Sequence, residues 1–233
     1  MTPRVIAIDG PAASGKSSTG AVLARRLGWA HLDSGALYRA VTLAVIDNFG
    51  EEGRGKGEAW SPQRIIALAE ELPVRLVLVG DVFRPAVAGV DVEAAIRAER
   101  VTRHVSRVAA LPEVRAWANA RQREAVAACR GGVVVDGRDI GTVVFPDAPL
   151  KVFLTASPAE RARRRLTQTG REPDPAALVR EAARLAARDH ADSTRAVAPL
   201  APAPDAVVLD TTELSLAEQV DRIAALARER VPG

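Results

Sequence analysis

The 233 residues carry 32 basic and 29 acidic side chains, a net charge of +3, and 48% hydrophobic residues. That is enough apolar material for one large domain, and the small charge surplus, with no like-charged block, excludes a nucleic-acid arm. A single cysteine (Cys129) excludes an internal disulfide. No run approaches the ~18 apolar residues of a membrane helix, no basic leader is visible, and His31, His104 and His190 lack ligand spacing, so a soluble cytoplasmic chain without a metal cage is expected.

In chain order, Val5–Ile8 reads as a buried strand. Directly after Asp9 stands Gly10-Pro11-Ala12-Ala13-Ser14-Gly15-Lys16-Ser17, with Ser18 following. This G-x-x-x-x-G-K-[ST] run is a phosphate-binding loop. Its glycines let backbone N–H groups curl around a phosphate, the next helix adds positive potential at its N-terminus, Lys16 supplies a point charge, and the Ser17 hydroxyl can ligate Mg²⁺. Only three basic residues are lysine (Lys16, Lys56 and Lys151), so 29 are arginine. A chain so biased to the forked guanidinium still keeps a compact ammonium in this loop.

Ser17–Leu27 is predicted helical and ended by Gly28; Trp29–Leu32 is a strand and Gly35–Phe49 a helix. Gly50–Ser61 is Gly- and charge-rich and reads as an exposed connection before the helix Pro62–Leu72. Val74–Val79 and Val82–Val87 form a hairpin about Gly80-Asp81, with a short strand at Val90–Val92. Helices are expected at Ala94–Ala109 and Glu113–Cys129, the second opened by Pro112. Val133–Asp136 is a buried strand ending in an acid, resembling Walker B, and Leu150–Leu154 is another core strand. Helices Pro158–Thr167 and Pro175–Asp192, a strand Ala206–Leu209 and a helix Leu216–Arg230 complete the chain. Strands alternating with helices predict an α/β fold, a mostly parallel, doubly wound sheet interrupted by an antiparallel insert.

Three further runs specify the chain: Leu32-Asp33-Ser34-Gly35-Ala36-Leu37-Tyr38-Arg39, Asp136-Gly137-Arg138-Asp139-Ile140-Gly141-Thr142-Val143-Val144-Phe145-Pro146, and Asp192-Ser193-Thr194-Arg195-Ala196-Val197-Ala198-Pro199-Leu200. With Gly10–Ser18 they stand in the order and spacing of the bacterial cytidylate kinases, which the chain resembles over essentially its whole length. The resemblance implies a P-loop core (about 1–60, 112–156 and 196–233), a small antiparallel-β monophosphate-binding insert (about 61–111) and a helical lid (about 157–195). It also implies the Mg²⁺-dependent reaction ATP + CMP or dCMP → ADP + CDP or dCDP, carried out by a monomer.

The residues agree with such chemistry. A phosphate acceptor is already ionised, with a second pKa of ~6, so no strong general base is needed. Charge neutralisation and alignment are needed, and arginine suits both. By resemblance, Ser34, Arg39, Arg138 and Arg195 hold the acceptor phosphate. A carboxylate accepts from the cytosine amino group and repels the uracil oxygen; Asp139 matches that position, with Ser106 and Arg115 as partners for the ring. Arg188, Asp192 and Arg195 at i, i+4 and i+7 share one helix face, and the first two match positions at the sugar. Arg161, Arg164 and Arg165 share another face beside Arg163, and four cations so close repel unless an anion is near. The resemblance makes them a lid over ATP, with Gly170-Arg171 in the same element. Lys16, Arg138, Arg161, Arg164 and Arg165 are therefore the candidate catalytic residues. Ser17, Asp33 and Asp136 are the candidate Mg²⁺ ligands, the acids directly or through water. The alternatives are a phosphate-loop kinase for another acceptor, such as UMP or shikimate, and a nucleotide-binding regulatory or RNA-interacting module.

Overall fold

The structure, a computed structural model, describes residues 4–51 and 60–231. Most of the expected Gly50–Ser61 connection, residues 52–59, lies outside the described residues. In chain order the elements are β1 (Val5–Asp9), α1 (Lys16–Leu27), β2 (Ala30–Asp33), α2 (Ser34–Phe49), α3 (Pro62–Glu71), β3 (Arg75–Val79), β4 (Val82–Val87), β5 (Val90–Asp91), α4 (Glu99–Ala109), α5 (Pro112–Ala127), β6 (Val133–Gly137), β7 (Leu150–Thr155), α6 (Pro158–Gln168), α7 (Pro175–Thr194), β8 (Val207–Asp210) and α8 (Leu216–Arg230). They divide into two compact units. One is Ala30–Gly131, and the other joins Arg4–Trp29 to residues 132–231. The expected insert lies within the first unit and the expected lid within the second.

The second unit is a parallel α/β layer with β1 central. β6 lies along one side of β1, with Val5 opposite Val133 and Asp9 opposite Gly137; β7 lies along the other, followed by β8. Every residue of β1 is buried, as expected of a strand enclosed in a parallel sheet. The β1–β6 register releases Gly10 and Arg138 from adjacent strand ends. Ile6, Ile8, Leu23, Val134, Leu150, Leu154 and Ile223 form the core of this unit; burial of each such side chain contributes roughly 1.5–3 kcal/mol. α1 stops where Gly28 turns left-handed (φ 66°) and returns its N–H to Ala24 and Arg25. α8 opens with a reciprocal cap between Ser215 and Glu218.

The first unit pairs β3 antiparallel to β4, and β4 antiparallel to β5; β2 meets β4 in parallel at His31–Val82. Its core gathers Leu37, Val41, Val45, Ile65, Ile96, Val101, Val108 and Val114 from the surrounding helices.

Two local forms differ from expectation. The helix expected over Ala94–Ala109 is broken at Ala98 (φ −57°, ψ 150°), leaving a tight turn at Ala95–Arg97 before α4. The break buries Ile96 completely and lets Arg97 reach both Glu93 and Asp33. The run after β6 contains an unexpected wide turn, Ile140–Val144, in which Val144 N–H reaches Asp139 C=O and Phe145 N–H reaches Ile140 C=O. Its cause is Asp9, whose two carboxylate oxygens accept the N–H groups of Ile140 (2.8 Å) and Gly141 (2.7 Å).

Candidate active site

The loop from β1 to α1 takes the form that the glycine spacing implies. Gly10 has φ 148°, and a side chain there would place its Cβ 2.0 Å from the Leu154 carbonyl oxygen, so only glycine fits. Ala13 (φ 59°) and Gly15 (φ 98°) are also left-handed. Lys16 curls back over the loop, and its Nζ donates to Pro11 C=O at 2.7 Å. Burial lowers its pKa to about 7; the positive charge of Arg138 adds to this, and Asp136 and Asp9 act against it. Burial likewise raises Asp9 to about 6, against the two N–H groups that it accepts. Ser17 is exposed, and its hydroxyl donates to Asp136 Oδ2 at 2.7 Å.

Several predicted side chains gather around this loop within the second unit. Arg138 donates through Nη1 to Gly10 C=O (2.6 Å) and through Nε to Asp192 Oδ2 (2.8 Å). Arg195 lies 3.8 Å from Asp192 and 4.0 Å from buried Asp139, and it donates to Ala198 C=O. It does not extend the helix face as expected: α7 ends at Thr194, and Arg195 is extended (φ −64°, ψ 143°). Asp192 therefore brackets Arg138 and Arg195 as their shared carboxylate. Arg188, half-buried on α7, is near enough for its charge to depress Lys16. On α6, Arg161 donates to Ala12 C=O (3.1 Å) and to Asp189, while Arg164 bonds Glu160, Ser14 C=O and Thr211. Arg165 reaches Gln168, and Arg171 lies 4.0 Å from Glu181.

The remaining predicted residues belong to the first unit. Ser34 is buried at the start of α2. Arg39 is buried one turn on, donating to Ile96 C=O (3.2 Å) and Thr102 Oγ1 (2.9 Å). Arg115, 3% exposed, donates to Ala109 C=O and stacks over the Tyr38 ring at 5.4 Å. Ser106 is half-buried on α4. Asp33 caps α2, accepting Gly35 N–H at 2.9 Å through Oδ1 and pairing with Arg97 at 3.0 Å through Oδ2. Burial pushes its carboxyl up, but the charge and hydrogen bond of Arg97, helped by His31 and Arg39, hold it below the ordinary value.

Ser17 Oγ and Asp136 Oδ2 are hard oxygens bonded to each other beside the loop, and the two oxygens of Asp33 are engaged by Gly35 and Arg97. Among the described residues no group of three or more His, Cys, Asp or Glu forms a cage. No described helix is long and apolar enough to cross a membrane. Sequence reasoning missed Asp9, Arg97, Asp189 and Thr211. Only two carried a signal: Asp9 closes a strand before the loop, and Asp189 follows Arg188 directly.

The family model described as cytidylate kinase matches residues 6–229. The cytidylate kinase of Mycobacterium leprae (strain Br4923) is 45% identical over 230 residues, covering 99% of this chain and 98% of that protein. The cytidylate kinase of Mycobacterium avium (strain 104) is 47% identical over 229 residues, covering 97% and 96%. A solved structure of an uncharacterized protein from Eubacterium ventriosum ATCC 27560 superposes with a TM-score of 0.52 at 11% identity, covering 97% and 99%, a likeness of fold alone.

Proposed function

Because this chain belongs to the cytidylate kinase family, we propose that it transfers the γ-phosphoryl group of ATP to CMP or dCMP, giving ADP and CDP or dCDP. The observation that carries this reading is the loop Gly10–Ser17 with Arg138 anchored on its first carbonyl and Asp139 buried next in sequence. The first feature suits a triphosphate, and the Asp-Gly-Arg-Asp run suits a cytosine nucleotide.

Lys16 lies ready for the outer phosphates of ATP, cradled by residues 10–18. A phosphate anion drawn to it reverses the unfavourable burial of its charge. Ser17 and Asp136 would hold the Mg²⁺ that enters with the nucleotide, which would supply positive charge beside the transferring group. Asp33, with both oxygens engaged, caps its helix in this scheme. Ser34, Arg39, Arg138 and Arg195 take the acceptor phosphate. Arg188 and Asp192 take the sugar, and Asp139 accepts from the cytosine amino group with Ser106 and Arg115 on the ring. Arg161, Arg164 and Arg165 belong to the lid element on the ATP side. No residue need remove a proton from the acceptor, since its phosphate oxygen is already an anion. We place the protein in the cytoplasm as a monomer, without a nucleic-acid or membrane partner.

ADP formation measured with CMP, dCMP, UMP, AMP and shikimate tests the proposal. CMP and dCMP are expected to lead. A lead for UMP or AMP overturns the base assignment, and ATP binding without acceptor-dependent turnover overturns the reaction.

A further inference from the structure

The carbonyls of alternate loop residues are each held by an arginine: Gly10 by Arg138 (2.6 Å), Ala12 by Arg161 (3.1 Å) and Ser14 by Arg164 (3.4 Å). Turning the Ala12 and Ser14 carbonyls outward turns the N–H groups of Ala13 and Gly15 the other way, toward the space that a phosphate fills; after Gly10 stands Pro11, which has no N–H to turn. At Ala12 the grip is double. Its N–H donates to Asp189 Oδ1 at 2.9 Å, its C=O accepts from Arg161, and Arg161 and Asp189 bond each other. The two side chains are only 10% and 16% exposed, so water competes little for them. The next residue, Ala13, holds a left-handed φ of 59°, a conformation that costs a non-glycine residue about 1–2 kcal/mol and persists only where its surroundings enforce it.

We infer that Asp189 is a positioning residue for the donor nucleotide, acting through Arg161 to fix Ala12 and so preset the loop before ATP arrives. The inference rests on reading residues 10–17 as the cradle of ATP, and it gives Arg161 work at the loop's backbone. Asp189 lies one turn before Asp192, which steadies Arg138 on Gly10. One helix, α7, therefore reaches the loop at two points.

The test is ATP affinity, measured by calorimetry without an acceptor, together with the KM values for ATP and CMP. The chains compared are wild type, Asp189→Ala, Asp189→Asn, Arg161→Met and the double variant Asp189→Ala/Arg161→Met. Asp189→Ala is expected to weaken ATP binding and raise the KM for ATP about tenfold, as loss of a charge-assisted bond would, with the KM for CMP near wild type. Asp189→Asn keeps an acceptor for Ala12 N–H and should fall between. The double variant should be no worse than the poorer single variant, since both remove one device. Unchanged ATP affinity, equal rises in both KM values, or additive losses would overturn the inference. Should Asp189→Ala not fold, Asp189→Asn and Arg161→Met carry the same comparison. A wild-type chain that binds ATP but makes no ADP with CMP would defeat the proposed reaction, and the ATP affinities would still decide the role of Asp189.

Discussion

The ends of β2 and β6 start from the same local signal, a short apolar run closed by an aspartate, and finish differently. At β2 the next residues, Ser34-Gly35, begin a helix at once, so Asp33 is drawn back as its cap and its free oxygen goes to Arg97. At β6 the residues after Asp136, Gly137 closing the strand and then Arg138, begin no helix. Asp136 stays 2% exposed with its oxygen on Ser17, beside the phosphate loop. An aspartate after an apolar run thus becomes a helix cap or stays beside the phosphate loop according to whether the chain after it claims the carboxylate.

Substitutions can sharpen that contrast. The largest effect is expected where β6 and the loop meet. Lys16→Met should cut CMP-dependent ADP formation by about 10³-fold, while the nucleotide-free protein melts no lower than wild type. The reason is that native Lys16 titrates near pH 7 and the unfolded side chain near 10.5. Between those values the unfolded chain holds the extra proton, so the Lys16 contribution to stability rises with pH across that window. The Tm gap between variant and wild type should therefore narrow from pH 7 toward pH 10.

Next in size, Asp136→Asn should lower turnover by about 10²-fold and raise the Mg²⁺ concentration needed for half-maximal rate. A larger loss from Asp33→Asn in the same assay would reverse the contrast drawn above. Asp33→Ala is expected to act on folding instead. Loss of the cap costs about 1–2 kcal/mol, read as a lower urea midpoint at unchanged slope, with turnover of the folded protein near wild type. The smallest effect should come from Arg97→Met, because Arg97 is about half exposed (48%) and such pairs are weak. Since Arg97 holds Asp33 below the ordinary value, its contribution is complete above about pH 4 and fades as acid protonates Asp33. Denaturation midpoints of variant and wild type should converge there.

Much of the fold was legible because its signals are local. The buried run at β1, the Gly80-Asp81 turn between β3 and β4, the proline starts of α3, α5, α6 and α7, and the glycine stop of α1 each act within a few residues. The break at Ala98 and the wide turn at Ile140–Val144 were not legible, since their causes, Asp33 and Arg39 for one and Asp9 for the other, stand far away in sequence. The site shows the same division. Sequence marked Arg138, Arg161 and Arg164 as cations near phosphate, and it could not say that each donates to a loop carbonyl. Asp189 was not singled out, since one of its partners is a backbone N–H, which every residue but proline offers, and the other, Arg161, stands 28 residues earlier.

Asp9 grips the backbone of Ile140 and Gly141 and leaves the Asp139 side chain outside its hydrogen bonds. Support of the turn and the recognition proposed for Asp139 are thus separable at neighbouring positions. On the role proposed for Asp139, a redesign of base choice has room at residue 139, because the turn that presents it is secured from elsewhere. Changes at residue 9 offer no such freedom: they would slacken the turn and the root of the phosphate loop together, and a selection for altered nucleotide preference should leave that position fixed.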